Sequence, residues 1–163
     1  MSGGREIQSK LAMLLDPKCL LLPKKNHWMR RTIIVLGFIF SDCAATLAFC
    51  AAPNQEASIV ARMFMQNLGI PSGLTTFVFL SNLPIYVVLS LDSHVIRLPT
   101  RVDVAVELTV DFAFAFSIAG PHFYGGSSWF WLAPDSIRYL RGILYYLMMA
   151  FVFVRPQKPR YDP

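Results

Sequence analysis

Four long apolar stretches alternate with shorter polar ones along this chain. They cover about residues 33–52, 72–91, 102–120 and 137–154. A stretch of about 20 apolar residues, folded as an α-helix with a rise of about 1.5 Å per residue, reaches about 30 Å, which is the thickness of the hydrocarbon core of a bilayer. The pattern therefore predicts an all-α polytopic membrane protein, a bundle of four transmembrane helices in a domain spanning residues 33–154.

The two ends of the chain are polar and basic. Within residues 1–32, the segment 5–22 carries apolar residues at helical spacing with charges between them, and prolines interrupt it. It is too short and too charged to cross a bilayer, so we expect an amphipathic segment that lies on the membrane surface and meets anionic lipid headgroups. Residues 155–163 form a short basic tail. No nucleic-acid-binding motif is present, so we do not expect nucleic acid as a partner.

Turn-forming residues lie between the apolar stretches. Pro53 or Asn54 is expected to start a short outer helix between spans 1 and 2, and Gly69 with Pro71 is expected to end it. Residues 121–131 contain two adjacent glycines among many aromatic residues, which predicts a loop at the headgroup interface.

The distribution of charge predicts the orientation. Charged residues make up 15% of the chain, against about 25% in soluble domains. The N-terminal tail, the 92–101 turn and the C-terminal tail together hold 12 Lys and Arg residues, whereas the opposite side holds Arg62, Arg138 and Arg141. Because short basic loops stay on the cytoplasmic side, we expect both termini inside, in the cell membrane of a prokaryote or an organellar inner membrane.

Three polar residues fall deep within the predicted spans. Asp42 is nine residues into span 1 and Asp111 nine residues into span 3, and Asn82 reaches a similar depth in span 2. A charged residue at the centre of a membrane helix costs about 2.5–3.5 kcal/mol on insertion scales, so such groups face the bundle or water. We therefore expect Asp42, Asn82 and Asp111 to form one polar midplane layer.

Span 3 also has an acidic stripe. Asp103, Glu107 and Asp111 follow one another at intervals of four residues, on one helix face. Three interpretations stay open at this point: a proton or cation path in which Asp111 and Asp42 are coupled, hydrogen bonding that joins helices, or docking to a basic residue of a partner.

A metal site on the outer side is a weaker hypothesis. Glu56, His122 and Asp135 all fall there, but no two-histidine motif exists. His122 lies about 16 Å along the helix from Asp111, so we expect it to stay apart from the midplane acids. We expect no cofactor, and we expect bound lipids.

One family resemblance rests on short motifs within residues 41–74. The sequence Asp42-Cys43-Ala44-Ala45-Thr46, followed by Glu56-Ala57-Ser58-Ile59, Arg62 and Gly69-Ile70-Pro71-Ser72-Gly73-Leu74, resembles a family of small prokaryotic four-span membrane proteins of unknown function. That family shows Glu-Ala-Asn-Pro at the start of its outer helix, and here Ser58-Ile59 replaces Asn-Pro. The resemblance implies the four-span fold and no particular activity.

These patterns favour two functions. No nucleophile elbow, phosphate-binding loop or dinucleotide motif is present, so catalysis by this chain alone is not expected. The leading hypothesis is a non-catalytic accessory subunit of a larger membrane protein complex, for instance a membrane oxidoreductase, with other membrane subunits as partners. The alternative is a small homo-oligomeric channel or transporter that moves protons or cations through the midplane carboxylates.

Overall fold

The computed structural model describes residues 26–95 and 100–154, with side chains at 28–87 and 105–154. Every regular element in these ranges is helical, as the sequence predicts. The elements are α1 (Asn26–Phe49), a 3-10 turn (Pro53–Gln55), α2 (Ile59–Leu68), α3 (Ile70–Val95), α4 (Thr100–Phe114), a π-helical segment (Ala115–Ala119), α5 (Gly120–Ser128) and α6 (Asp135–Phe153). The predicted amphipathic segment 5–22 and the basic tail 155–163 lie outside the described residues.

Three of the described helices are long and apolar enough to cross a membrane. They are Trp28–Phe49 in α1, Ile70–Val87 in α3 and Asp135–Phe153 in α6. The helix that carries the acidic stripe is not among them. These three helices agree with a membrane protein in length and composition.

The distribution of polar and apolar side chains agrees with a lipid environment. Large apolar side chains such as Phe40, Phe79 and Phe151 point outward, while Arg31 and Glu107 are buried in the bundle. Soluble monomers rarely expose extensive apolar surface, because its contact with water is unfavourable. The outer surface of α1, α3 and α6 is therefore suited to hydrocarbon.

Helix α1 starts earlier than predicted. The expected span begins at Ile33, but the helix begins at Asn26 and so includes Arg30 and Arg31. Arg30 donates a hydrogen bond from Nη1 to the Phe153 carbonyl at 3.0 Å, which satisfies one of the free carbonyls at the end of α6. The beginning of α1 and the end of α6 therefore lie at the same end of the bundle.

The outer helix is shorter than predicted. Pro53 begins only a 3-10 turn, and α2 starts at Ile59 with Ser58 as its N-cap, whose Oγ accepts from the Ala61 amide at 3.3 Å. A serine hydroxyl is a favoured partner for the free amides of a first helical turn, so Ser58 determines this boundary. The end of α2 is as expected: Leu68 is its last residue, and Gly69 adopts a φ of +79°, which favours glycine.

The prediction of an interfacial loop at 121–131 is wrong over most of that segment. The chain remains helical through Ser128, so α4, the π-helical segment and α5 follow one another without a break. Pro121 lacks an amide hydrogen and its ring crowds the carbonyl four residues earlier, at Ser117, which lies within the π-helical segment. The proline is thus accommodated by a local widening of the helix.

The core lies where the π-helical segment and α5 pack against α1 and α6. Fully buried Val35, Ala115 and Tyr146 belong to this cluster. Helix α3 packs on the other side of α1, and α2 folds back along α3. This arrangement brings one face of α5 against the middle of α1, where the candidate site lies.

Candidate functional site at Asp42 and His122

The acidic residue of α1 is paired with a histidine of α5. The distance from Asp42 Oδ2 to His122 Nδ1 is 2.8 Å, and about a quarter of each side chain is exposed. A contact of this length between a carboxylate oxygen and a ring nitrogen requires one proton between them. Either His122 donates from Nδ1 to Asp42, or protonated Asp42 donates to Nδ1. The pair therefore holds an exchangeable proton at a partly accessible position.

Two glycines allow α5 to approach Asp42 closely. A Cβ at Gly126 would lie 2.9 Å from the Asp42 Cα, and one at Gly125 would lie 3.0 Å from Asp42 Oδ1. Any larger residue at either position would push the helices apart or displace the carboxylate. A further contact one turn along α1 joins the same helices: Trp129 Nε1 donates to the buried Thr46 hydroxyl at 3.2 Å.

A cavity of about 670 Å³ with both polar and apolar lining residues adjoins the pair. Residues of α1, the α1–α2 connection, α2, α3 and α5 line it, and Asp42, Glu56, Asn82 and His122 are among them. Its lining, within the described part of the chain, contains carboxylates, amides and hydroxyls but no lysine or arginine. Asn82 donates from Nδ2 to the Val78 carbonyl of its own helix at 2.8 Å and to the Ser81 hydroxyl at 3.2 Å.

The second deep acid, Asp111, belongs to a separate cluster. Arg31 donates to it through two hydrogen bonds, Nε to Oδ1 at 2.6 Å and Nη2 to Oδ2 at 2.9 Å, and the Tyr146 hydroxyl donates to Oδ1 at 3.1 Å. The Arg31 guanidinium also stacks on the Trp28 ring, 4.5 Å from its centroid. A two-point interaction of this kind is the strong form of an arginine–carboxylate pair. Asp111 is therefore held in place by its own chain.

The register between α1 and the α4–α5 helix explains why the two acids separate. Arg31 pairs with Asp111 and Asp42 pairs with His122, and both pairs are 80 residues apart in sequence. The two helices thus run in the same direction, and the pairs follow each other after eleven residues, about three turns. The predicted midplane layer was based on counting residues from Ile33, which placed Asp42 level with Asp111. In the structure the partner of Asp42 is His122.

The expectation that His122 stays apart from the deep acids is wrong for Asp42. That expectation was based on the distance between His122 and Asp111 along the helix and assumed that Asp42 lies level with Asp111. Because the two helices are offset, Asp42 lies beside His122 instead. The sequence does carry a signal: Arg31 and Asp42 are separated by eleven residues, as are Asp111 and His122. Two complementary pairs at the same spacing indicate parallel helices that pack on these faces.

The rest of the acidic stripe is only partly described. Glu107 is 6% exposed and is engaged in an interaction within the fold. The side chain of Asp103 lies outside the described residues. Since Arg31 binds Asp111, the described part of the stripe faces the interior of the bundle.

The structure does not bring the three metal candidates together. His122 binds Asp42, Glu56 Oε1 accepts from the Ser58 amide at 2.9 Å, and Asp135 pairs with Arg138 at 2.5 Å. The described residues contain no group of three or more potential metal ligands from His, Cys, Asp and Glu. Each of the three side chains instead has a partner in the protein.

Comparison of the chain with protein-family models, with curated proteins and with solved structures finds no match. The likeness to small four-span proteins therefore depends on the motifs of residues 41–74 alone. The geometry around Asp42 and His122 is the basis for assigning a function.

Proposed function

We propose that this chain is a small integral membrane protein that moves protons or a small cation across the bilayer, with Asp42 and His122 as its binding site. The observation that carries the proposal is their 2.8 Å contact beside a cavity that Glu56 and Asn82 also line. Ionisable residues inside membrane bundles commonly mark proton and ion pathways. The proposal includes a four-span topology with both termini on the cytoplasmic side.

The charge of the site favours a cation. The cavity lining holds the carboxylates of Asp42 and Glu56, and the described lining has no lysine or arginine to offset them. A concave site whose acidic groups outnumber its basic ones attracts cations, and here His122 is the one basic side chain in the described lining. A cation that binds Asp42 competes with the proton shared with His122, because both occupy the same carboxylate oxygen.

The other cluster has a structural role in this proposal. Asp111 is bound at two points by Arg31, which is 1% exposed, and also by Tyr146. Separating Asp111 from Arg31 would leave a buried charge uncompensated. Asp111 is therefore poorly suited to release and rebind an ion. Because Arg31 supplies the positive charge from within the chain, Asp111 does not call for a basic residue on a partner subunit.

The fourth span is supported by helix continuity. The chain stays helical from Thr100 to Ser128, through the π-helical segment, and runs parallel to α1. Pairing with Arg31 lowers the cost of carrying Asp111 at this depth. This helix is therefore suited to cross the membrane beside α1 with its acidic face inward.

Flux measurements in liposomes test the proposal. The purified full-length chain is reconstituted with a pH-sensitive dye inside, and a potassium gradient with valinomycin drives proton entry. We expect flux in the wild type, strong loss in Asp42→Asn and His122→Ala, and wild-type flux in Asp135→Asn. The last is the matched control, because it makes the same chemical change at a carboxylate that is 72% exposed.

Two results would contradict the proposal. Equal flux of protons and of small cations in the wild type and in Asp42→Asn would exclude Asp42 as the site. Absence of any flux, together with co-purification of other membrane proteins in mild detergent, would favour the accessory-subunit hypothesis instead. Circular dichroism and size-exclusion profiles of each variant separate loss of function from loss of fold.

A further inference from the structure

A second cavity also borders the Asp42–His122 pair. It measures about 630 Å³ and is lined by α1, α5 and α6, and both Asp42 and His122 contribute to its wall. Its volume falls within the range of about 300–1,000 Å³ that is typical of sites for small organic ligands. The same two side chains thus border both cavities.

The second cavity is apolar and aromatic. Phe38, Phe123, Phe130 and Tyr145 form much of its wall, together with Met148 and Met149. Asp42 is its one carboxylate, and the described lining contains no lysine or arginine. Aromatic faces attract cations, and the methionine thioether is polarisable and adapts to irregular shapes.

These features discriminate among ligand classes. A small hydrated ion would have to lose its water against an apolar wall, which is costly. An organic anion would meet the Asp42 carboxylate with no positive side chain in the described lining to compensate. A neutral apolar molecule would gain nothing from the carboxylate. A bulky apolar molecule with one positive charge satisfies both the walls and Asp42.

We infer that this cavity binds hydrophobic organic cations, with the positive centre beside Asp42 and the apolar groups against Phe38, Phe123 and Phe130. The inference rests on the proposed function, since it adds an organic cation, bound in the second cavity, to the proton that the Asp42–His122 site exchanges. The cation displaces the proton that Asp42 shares with His122.

Direct binding measurements with tetraphenylphosphonium test this inference. Equilibrium dialysis of the full-length chain in a non-ionic detergent measures saturable binding above detergent partitioning. Tetraphenylborate has the same shape and the opposite charge, so it serves as the control ligand. We expect saturable binding of the phosphonium and none of the borate, and a loss of affinity of about tenfold or more in Asp42→Asn.

A second variant, Gly37→Leu, tests the inference even if Asp42→Asn fails to fold. A Cβ added at Gly37, in the cavity wall, would meet no atom within 4 Å, so Gly37→Leu adds a side chain to open space and leaves the Asp42–His122 pair in place. We expect Gly37→Leu to weaken phosphonium binding about tenfold or more, and Asp135→Asn to bind as the wild type does.

Equal phosphonium affinity in the wild type, Asp42→Asn and Gly37→Leu would overturn the inference, as would borate binding as tight as phosphonium binding. Asp42-dependent proton flux without phosphonium binding would refute the substrate class alone and leave the proposed function in place. Asp42-dependent phosphonium binding without any flux would support the binding site and refute translocation.

Discussion

Arg31 of α1 binds Asp111 of α4 at two points, with hydrogen bonds of 2.6 and 2.9 Å, although the arginine is only 1% exposed. The pair joins the first described helix to the helix with the acidic stripe. Neither charge is compatible with an apolar interior by itself, so each makes the other acceptable. The interaction therefore stabilises the packing of α1 against α4.

Replacing one partner of this pair is expected to destabilise the fold strongly. Asp111→Ala removes the two-point partner of the buried Arg31 and should reduce the free energy of unfolding by about 3–5 kcal/mol. Unfolding in mixed micelles with increasing dodecyl sulfate measures this change. The double variant Arg31→Met with Asp111→Leu removes both charges and should recover most of the loss. A wild-type unfolding curve for Asp111→Ala would show that the pair contributes little.

The packing of α2 on α3 depends on the absence of a side chain at Gly73. A Cβ there would overlap the Phe64 backbone carbonyl, so Gly73→Ala must move one helix away from the other. We expect a loss of about 1–3 kcal/mol in the free energy of unfolding. Gly37→Ala is the matched control, since its Cβ meets open space, and it should be neutral or slightly stabilising. Equal effects of the two substitutions would contradict this account of the α2–α3 contact.

The proposed topology predicts which positions can be labelled from each side of the membrane. Arg30 and Phe153 are in contact at one end of the bundle, whereas Leu132, in the connection between α5 and α6, is fully exposed. In a chain lacking its native cysteines, Leu132→Cys should react with a membrane-impermeant maleimide from outside. Cysteines added at the two termini should react only after the membrane is opened. Labelling of Leu132→Cys and of a terminal cysteine from the same side would refute the four-span topology.

The buried thiol beyond the end of α1 should titrate at unusually high pH. Burial raises the pKa of Cys50 above its ordinary value, and the nearby Glu56 carboxylate acts in the same direction. Because only the thiolate reacts with maleimides, reaction at neutral pH should be slow and should accelerate as the pH rises past the ordinary thiol range. The rate of modification as a function of pH, measured with Cys19 and Cys43 replaced by serine, checks this.

The dodecyl sulfate-unfolded chain is the reference for that titration. Unfolding exposes Cys50, so the midpoint of its reaction should move to lower pH. The same midpoint in the folded and unfolded chain would show that the surroundings of Cys50 do not affect its thiol.

The apolar stretches alone predict the helical class and four spans, and three described helices match a membrane in length and composition. They also indicate that Asp42 and Asp111 must be accommodated inside the bundle. They do not indicate where each helix begins: α1 starts at Asn26, ahead of the apolar stretch, and its Arg30 and Arg31 contact distant segments. The sequence pattern places Arg31 in the basic N-terminal segment 1–32, outside the predicted bundle, and so does not identify it as the partner of Asp111.

The pattern of apolar residues within each segment was sufficient to determine that this chain forms apolar helices. It also showed that two acidic residues, Asp42 and Asp111, lie deep within them. The pairing of those acids was decided only by the tertiary structure. Asp42 meets His122 because Gly125 and Gly126 allow close approach and because the helix continues past Pro121 through the π-helical segment. The offset between two helices depends on side chains far apart in sequence, so no single segment contains it.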